Sequence, residues 1–119
     1  MSLVSQHYCF QAAVERPLSL ASLNLDGQLE CRDYIVTVVA ERVELDELDV
    51  VMDFRILEAT LNSALSFMQG RSIHELGMDG SLDVVKKIAE DMIPSIKPPV
   101  KLAAVSMQDL VGRRITLQL

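Results

Sequence analysis

The sequence predicts an α+β domain in which two helices pack on one face of a four-stranded antiparallel sheet, in the order β-β-α-α-β-β. Three observations predict it. Tyr34-Ile35-Val36-Thr37-Val38-Val39-Ala40 is a β-branched run suited to a pleated strand. At Asp53 the hydrophobic period changes to that of a helix, and after a second helical segment closed by prolines the chain returns to alternation, with Ile115, Leu117 and Leu119 set against Arg114, Thr116 and Gln118.

In chain order, His7 to Val14 has strand character and Glu15-Arg16-Pro17 is expected to end it, because proline cannot donate to a ladder. Leu18 to Leu25 reads as a looser apolar segment, closed by the turn pair Asp26-Gly27. Gln28 to Val43 is the longest strand candidate, with Tyr34, Val36 and Val38 on one face and Ile35, Thr37 and Val39 on the other. Both faces are largely apolar. The acidic link Glu44 to Asp49 then leads into the first helix.

That helix runs from Asp53 to Met68, where Phe54, Leu57, Leu61, Ala64, Leu65 and Met68 share one face. Asp53 is placed as its N-cap and Gly70 as its left-handed terminator. Residues 71–80 read as loop. Ser81 is expected to cap the second helix, whose stripe is Val85, Ile88, Ala89 and Met92, and Pro94, Pro98 and Pro99 stop it. Val100 to Met107 and Arg113 to Leu119 form the closing strands, joined by a hairpin through residues 108–112.

At 119 residues the chain is expected to be a single domain, 1–119, able to bury a core without staples. A net charge of -6 supplies no basic footprint for nucleic acid or anionic membrane, and no apolar run reaches a membrane span or the pattern of a signal peptide. These features place the protein in the cytoplasm, where Cys9 and Cys31 read as reduced core residues. Two helices cover one sheet face only. The second apolar face of the long strand therefore implies a homo-oligomer, assembled through sheet edges.

No catalytic motif stands out: there is no metal spacing, no phosphate-cradling glycine loop and no nucleophile elbow. His7 reads as a surface residue. His74, beside Glu75 in a glycine-flanked loop, stands where catalytic residues tend to lie, though a structural role is favoured. Glu30 and Arg32 share a strand face and suit an ion pair or the polar part of a pocket.

Phe10-Gln11-Ala12-Ala13-Val14 is similar to a Phe-x-Ala-Ala-His strand, Glu30-Cys31-Arg32-Asp33-Tyr34 to His-Gly-His-x-Tyr, Val50-Val51-Met52-Asp53-Phe54 to a Val-Met-Asp-Phe helix entry, and Ser81-Leu82-Asp83 to a Thr-x-Glu helix start. On these segments, and on element order over nearly the whole chain, the protein resembles the 6-pyruvoyl-tetrahydropterin synthase and 6-carboxy-tetrahydropterin synthase family of the tunnelling fold. The resemblance implies a zinc site of three histidines, at whose positions this chain carries Val14, Glu30 and Arg32. Valine cannot ligate and a guanidinium repels a cation, so no metal and no cofactor are expected. The family cysteine falls near Leu25-Asp26-Gly27, and the glutamate that anchors the pterin edge falls at Gln108, with Asp109 beside it. A shifted alignment brings His74 towards the family's Asp-His pair.

The expectation is a pterin-synthase-like protein without the family reaction, binding a small heterocycle such as a pterin or purine between subunits through Glu30, Arg32, Gln108 and Asp109. One alternative is a metal-free enzyme of the dihydroneopterin aldolase kind, with Lys101 the nearest candidate base. A non-catalytic oligomeric structural or interaction protein is the other.

Overall fold

The computed structural model describes residues 9–44 and 51–119, so His7, the acidic residues Asp46, Glu47 and Asp49, and Val50 lie outside the described residues. Strands β1 (Phe10–Leu23) and β2 (Leu29–Arg42) are followed by helices α1 (Phe54–Ser66) and α2 (Ser81–Met92), a 3-10 turn at Ile93–Ser95, and strands β3 (Lys101–Asp109) and β4 (Arg114–Gln118). The four strands form one antiparallel sheet in the order β1-β2-β3-β4. The expected α+β architecture is present.

The first strand does not end at Pro17. It continues unbroken to Leu23, with Pro17 opposite Ile35 and Leu20 opposite Arg32. β1 is an edge strand, and its odd-numbered residues turn their backbone groups away from β2: Ser19 O accepts from the N–H of Gly70, and Ala21 exchanges bonds with Arg71 and Ile73. Pro17 shares that parity, so the N–H it lacks is one the ladder never needed. The segment expected to be loose is strand, sealed along its outer side by residues 69–73.

A five-residue connection joins β1 to β2, and Asn24 Oδ1 accepts from the N–H groups of Asp26 and Gln28 at 2.9 Å each. Gly27 takes φ 78°, the left-handed turn conformation expected of the Asp-Gly pair. Asp53 caps α1 by accepting from the N–H of Arg55 at 2.9 Å, and Gly70 stands at φ 71° after it. α2 departs from expectation, because Gly80 rather than Ser81 is its N-cap and no side chain caps it. Asp83 instead turns back to accept from the N–H of Asp79.

Leu57, Leu61, Ala64, Leu65 and Met68 of the α1 face, and Val84, Val85, Ile88, Ala89 and Met92 of α2, are buried against Val14, Leu18, Val36, Val38 and Val105. The core is aliphatic throughout. Phe54 lies within the arc of the α1 stripe yet remains 47% exposed at the helix's first position. The open sheet face is more mixed than β2 alone suggests: Ile35, Thr37 and Val39 lie beside Gln108, Ser106 and Ala104, with Thr116 beyond. Its neighbours dilute the apolar strip with hydroxyl and amide groups.

Candidate cavity at the end of the sheet

β2 outruns β3. Tyr34 opposite Asp109 is the last pair of that seam, so Glu30 to Asp33 continue past the end of β3 beside the β3–β4 hairpin. Alternation puts Glu30, Arg32 and Tyr34 on the helix side of the sheet. Asp109 locks the hairpin: Oδ1 accepts the N–H groups of Val111 (3.1 Å) and Arg113 (2.9 Å), and Oδ2 accepts Arg113 Nε at 2.7 Å. Desolvation pushes its pKa up, but the Arg113 N–H, the Arg113 guanidinium and the Val111 N–H together hold the carboxyl below its usual range.

Between this hairpin, β2 and the start of α2 lies a hollow of about 330 Å³ lined by Arg32, Tyr34, Ser81, Met107, Asp109, Arg113, Arg114 and Ile115. Arg32, Asp109 and Arg113 also border an adjoining hollow of about 370 Å³ that reaches Cys31, Leu110 and Val111. Tyr34, Met107 and Ile115 give apolar walls, and the guanidiniums, a phenol and a hydroxyl give donors.

Of the residues singled out from sequence, Arg32 and Asp109 are brought together here. Glu30 is adjacent, 3.5 Å from Arg32 Nη2 and accepting from Asn24 Nδ2 at 3.1 Å. Gln108 is not: it projects from the opposite sheet face, where its Oε1 accepts from Arg114 Nε at 3.0 Å. His74 is exposed in the turn after α1, its N–H donating to Ser72 Oγ, and lines neither hollow. Tyr34, Ser81, Arg113 and Ile115 were missed as lining residues. The Asp109-x-x-x-Arg113 spacing was a readable hairpin signal, whereas the place where β3 stops beside β2 depends on register.

Register also corrects one motif. Val14 lies opposite Val38, while the β1 neighbours of Glu30 and Arg32 are Ser22 and Leu20. Six residues of strand, about 20 Å at roughly 3.3 Å per residue, separate Val14 from Leu20. The Phe-Gln-Ala-Ala-Val segment therefore cannot supply the third corner of a site with Glu30 and Arg32. Ser22, Glu30 and Arg32 do not fit zinc, since one carboxylate and a hydroxyl beside a guanidinium leave the ion short of ligands. Among the described residues, no three of His, Cys, Asp and Glu are grouped to hold a metal ion.

At the far end of the sheet, Glu41 gathers Gln11 Nε2 (3.1 Å), Lys101 Nζ (3.1 Å) and Cys9 Sγ (3.4 Å). The Gln11, Lys101 and Cys9 hydrogen bonds hold the Glu41 carboxyl below its usual range. The bond to Glu41 raises the Cys9 thiol, which disfavours the nucleophilic thiolate.

Among the described residues, no helix is long and apolar enough to cross a membrane. No family model matches the sequence, and no curated protein does. Solved structures do match. A 6-pyruvoyl tetrahydropterin synthase from Caenorhabditis elegans superposes with a TM-score of 0.80 at 13% identity, covering 98% of this chain and 99% of that one. An uncharacterized protein from Wolinella succinogenes gives 0.70 at 14% identity, over 94% and 99% of the two chains. A 6-pyruvoyl tetrahydropterin synthase from Plasmodium vivax gives 0.68 at 11%, over 94% and 98%. End-to-end coverage in both directions, with the same α+β sheet and helix pair, shows that this chain has the tunnelling fold of the 6-pyruvoyl tetrahydropterin synthase structures.

Proposed function

We propose that the chain is a cytoplasmic, single-domain, self-associating protein that binds a pterin- or purine-like heterocycle in the hollow beside Arg32 and does not carry out the synthase reaction. The observation that carries this reading is the hollow itself. It lies where β2 passes the β3–β4 hairpin, with Tyr34, Met107 and Ile115 offering flat apolar surface and Arg32, Ser81 and Arg113 offering donors. Its side towards Cys31, Leu110 and Val111 is open, which suits completion by a second copy.

Residue chemistry supports loss of the reaction, because positions beside Glu30 and Arg32 hold Ser22 and Leu20 rather than histidine. The aldolase alternative loses support from the placement of Lys101, tied to Glu41 at the other end of the sheet from the hollow. Purified protein tested for pterin binding by fluorescence quenching, for bound metal by elemental analysis, and for synthase and retro-aldol turnover is expected to bind pterin and give neither metal nor product. Stoichiometric zinc, or turnover of either kind, overturns the reading.

A purely structural role is the second reading, favoured by shape. The radius of gyration is 16.6 Å, against about 13.5 Å for a compact domain of this length, and the molecule extends 62 × 33 × 21 Å. An intact oligomer that binds no pterin or purine would select it.

A further inference from the structure

Resting on the reading of the hollow as a heterocycle site, we infer that it takes a neutral ring whose polar edge is built of carbonyl oxygens, a dioxo ring of the lumazine or xanthine class, in preference to the amino-oxo ring of a pterin. The two edges differ in hydrogen-bonding sense. An amino-oxo ring presents N–H donors at its amino group and the neighbouring ring nitrogen, and a carboxylate reads them by offering two oxygens side by side. A dioxo ring has an acceptor where the amino donor stood.

Among the described residues, no side chain at this end of the sheet offers the hollow such a pair of oxygens. Asp109 is the carboxylate of the lining, and both its oxygens face the hairpin: Oδ1 accepts the N–H groups of Val111 and Arg113, and Oδ2 accepts Arg113 Nε. Glu30, outside the lining, accepts from Asn24 Nδ2 and faces Arg32 Nη2. Asp33 borders only the adjoining hollow and accepts from Ser19 Oγ at 2.6 Å. Gln108, where the resemblance places the pterin-anchoring glutamate, lies on the opposite sheet face with Arg114. The reader of an amino edge is therefore lost in geometry as well as in residue type.

The groups left over donate. A guanidinium carries five N–H groups and accepts nothing. Among the described residues, the side-chain bonds of Arg32 and Arg113 use one nitrogen each, Nη2 towards Glu30 and Nε on Asp109. Ser81 stands at the start of α2, whose first-turn N–H groups no side chain caps, and they add backbone donors on that side of the hollow. Because Glu30 neutralises Arg32 and Asp109 neutralises Arg113, these donors come without net charge, and a neutral acceptor edge is their complement.

Titration of the full chain with lumazine and with pterin, in slightly acidic buffer where both rings are neutral, tests this. Lumazine is expected to bind at least about tenfold more tightly, since a ligand N–H set against a protein N–H leaves both donors unpaired. Arg32→Ala should bring the ratio to about twofold at an unchanged melting temperature, and Arg32→Lys should recover part of it. The thioxo analogue of lumazine, whose sulfur is a poor acceptor, should bind wild type more weakly than lumazine, which probes the contact even if Arg32→Ala does not fold. Equal affinity for lumazine and pterin, or tighter pterin, overturns the inference and leaves the hollow a heterocycle site. A preference for lumazine that survives in folded Arg32→Ala overturns the assignment to that guanidinium. Binding of neither ring removes the site itself, and the inference with it.

Discussion

The side-chain amide of Gln69 donates to the carbonyl oxygen of Pro17 at 2.7 Å while its Oε1 accepts the N–H of Ser19 at 2.9 Å. One glutamine thus offers the edge of β1 the donor and acceptor that another strand's backbone would offer. Gln69→Ala is expected to lower stability by about 1–2 kcal/mol, the sum of two ordinary hydrogen bonds. Urea denaturation reads it, and a midpoint unchanged from wild type would show the contact to be dispensable.

Acid should destabilise the fold through named carboxylates. Glu41 is held below its usual pKa by Gln11, Lys101 and Cys9, and Asp53 by the side chain and N–H of Arg55. A depressed native pKa contributes stability that is present above the unfolded value, near 4, and is lost as pH falls through the lower folded value. Melting temperature should therefore hold from neutrality to about pH 5 and then fall. In Glu41→Gln the fall should be shallower; an identical slope in the two proteins contradicts the assignment.

Leu61 is fully buried on the sheet side of α1. Leu61→Ala is expected to cost about 3 kcal/mol through lost burial and the cavity left behind, whereas Ile56→Ala, half exposed on the same helix, should cost well under about 1 kcal/mol. Similar losses at the two positions would mean that the outer face of α1 is covered in solution.

Self-association through sheet edges predicts a mass above the 13.2 kDa of one chain by light scattering. Ala13 shares the outward parity of Pro17 on β1, beyond the reach of the 69–73 segment. Ala13→Pro removes an outward N–H without touching the β1–β2 ladder and is expected to shift the mass towards the monomer. A monomeric wild type rules out assembly by this route.

Local chemistry was readable and register was not. Asp53 was legible as the start of α1 because side-chain capping belongs to a single residue, whereas α1 closes at Phe67 and Gly70, at φ 71°, turns the chain beyond it and donates to Ser19 O. Pro17 was misread because proline ends a central strand but is harmless at an edge, and edge position is a property of the whole sheet. Val14 was matched to the position of a zinc histidine by a five-residue segment, yet pairing puts it about 20 Å along the strand from Leu20, the partner of Arg32. Arg32 and Asp109 border the same hollow, while Gln108, one position from Asp109, is turned to the other face by the alternation of the pleat. Arg113 and Tyr34 entered the hollow through the end point of β3, which no short motif encodes.

The strand order β1-β2-β3-β4 sets a sequence of events in folding. β1 with β2, and β3 with β4, are joined by short turns and can close locally, but the β2–β3 seam must enclose both helices, so its closure carries most of the loop entropy. Val38, flanked by Val14 and Val105, lies in that seam, whereas Gln69 seals an edge. Truncating Val38 should therefore slow refolding, and losing Gln69 should chiefly hasten unfolding, so that two positions touching the same strand pair would move opposite arms of a chevron plot.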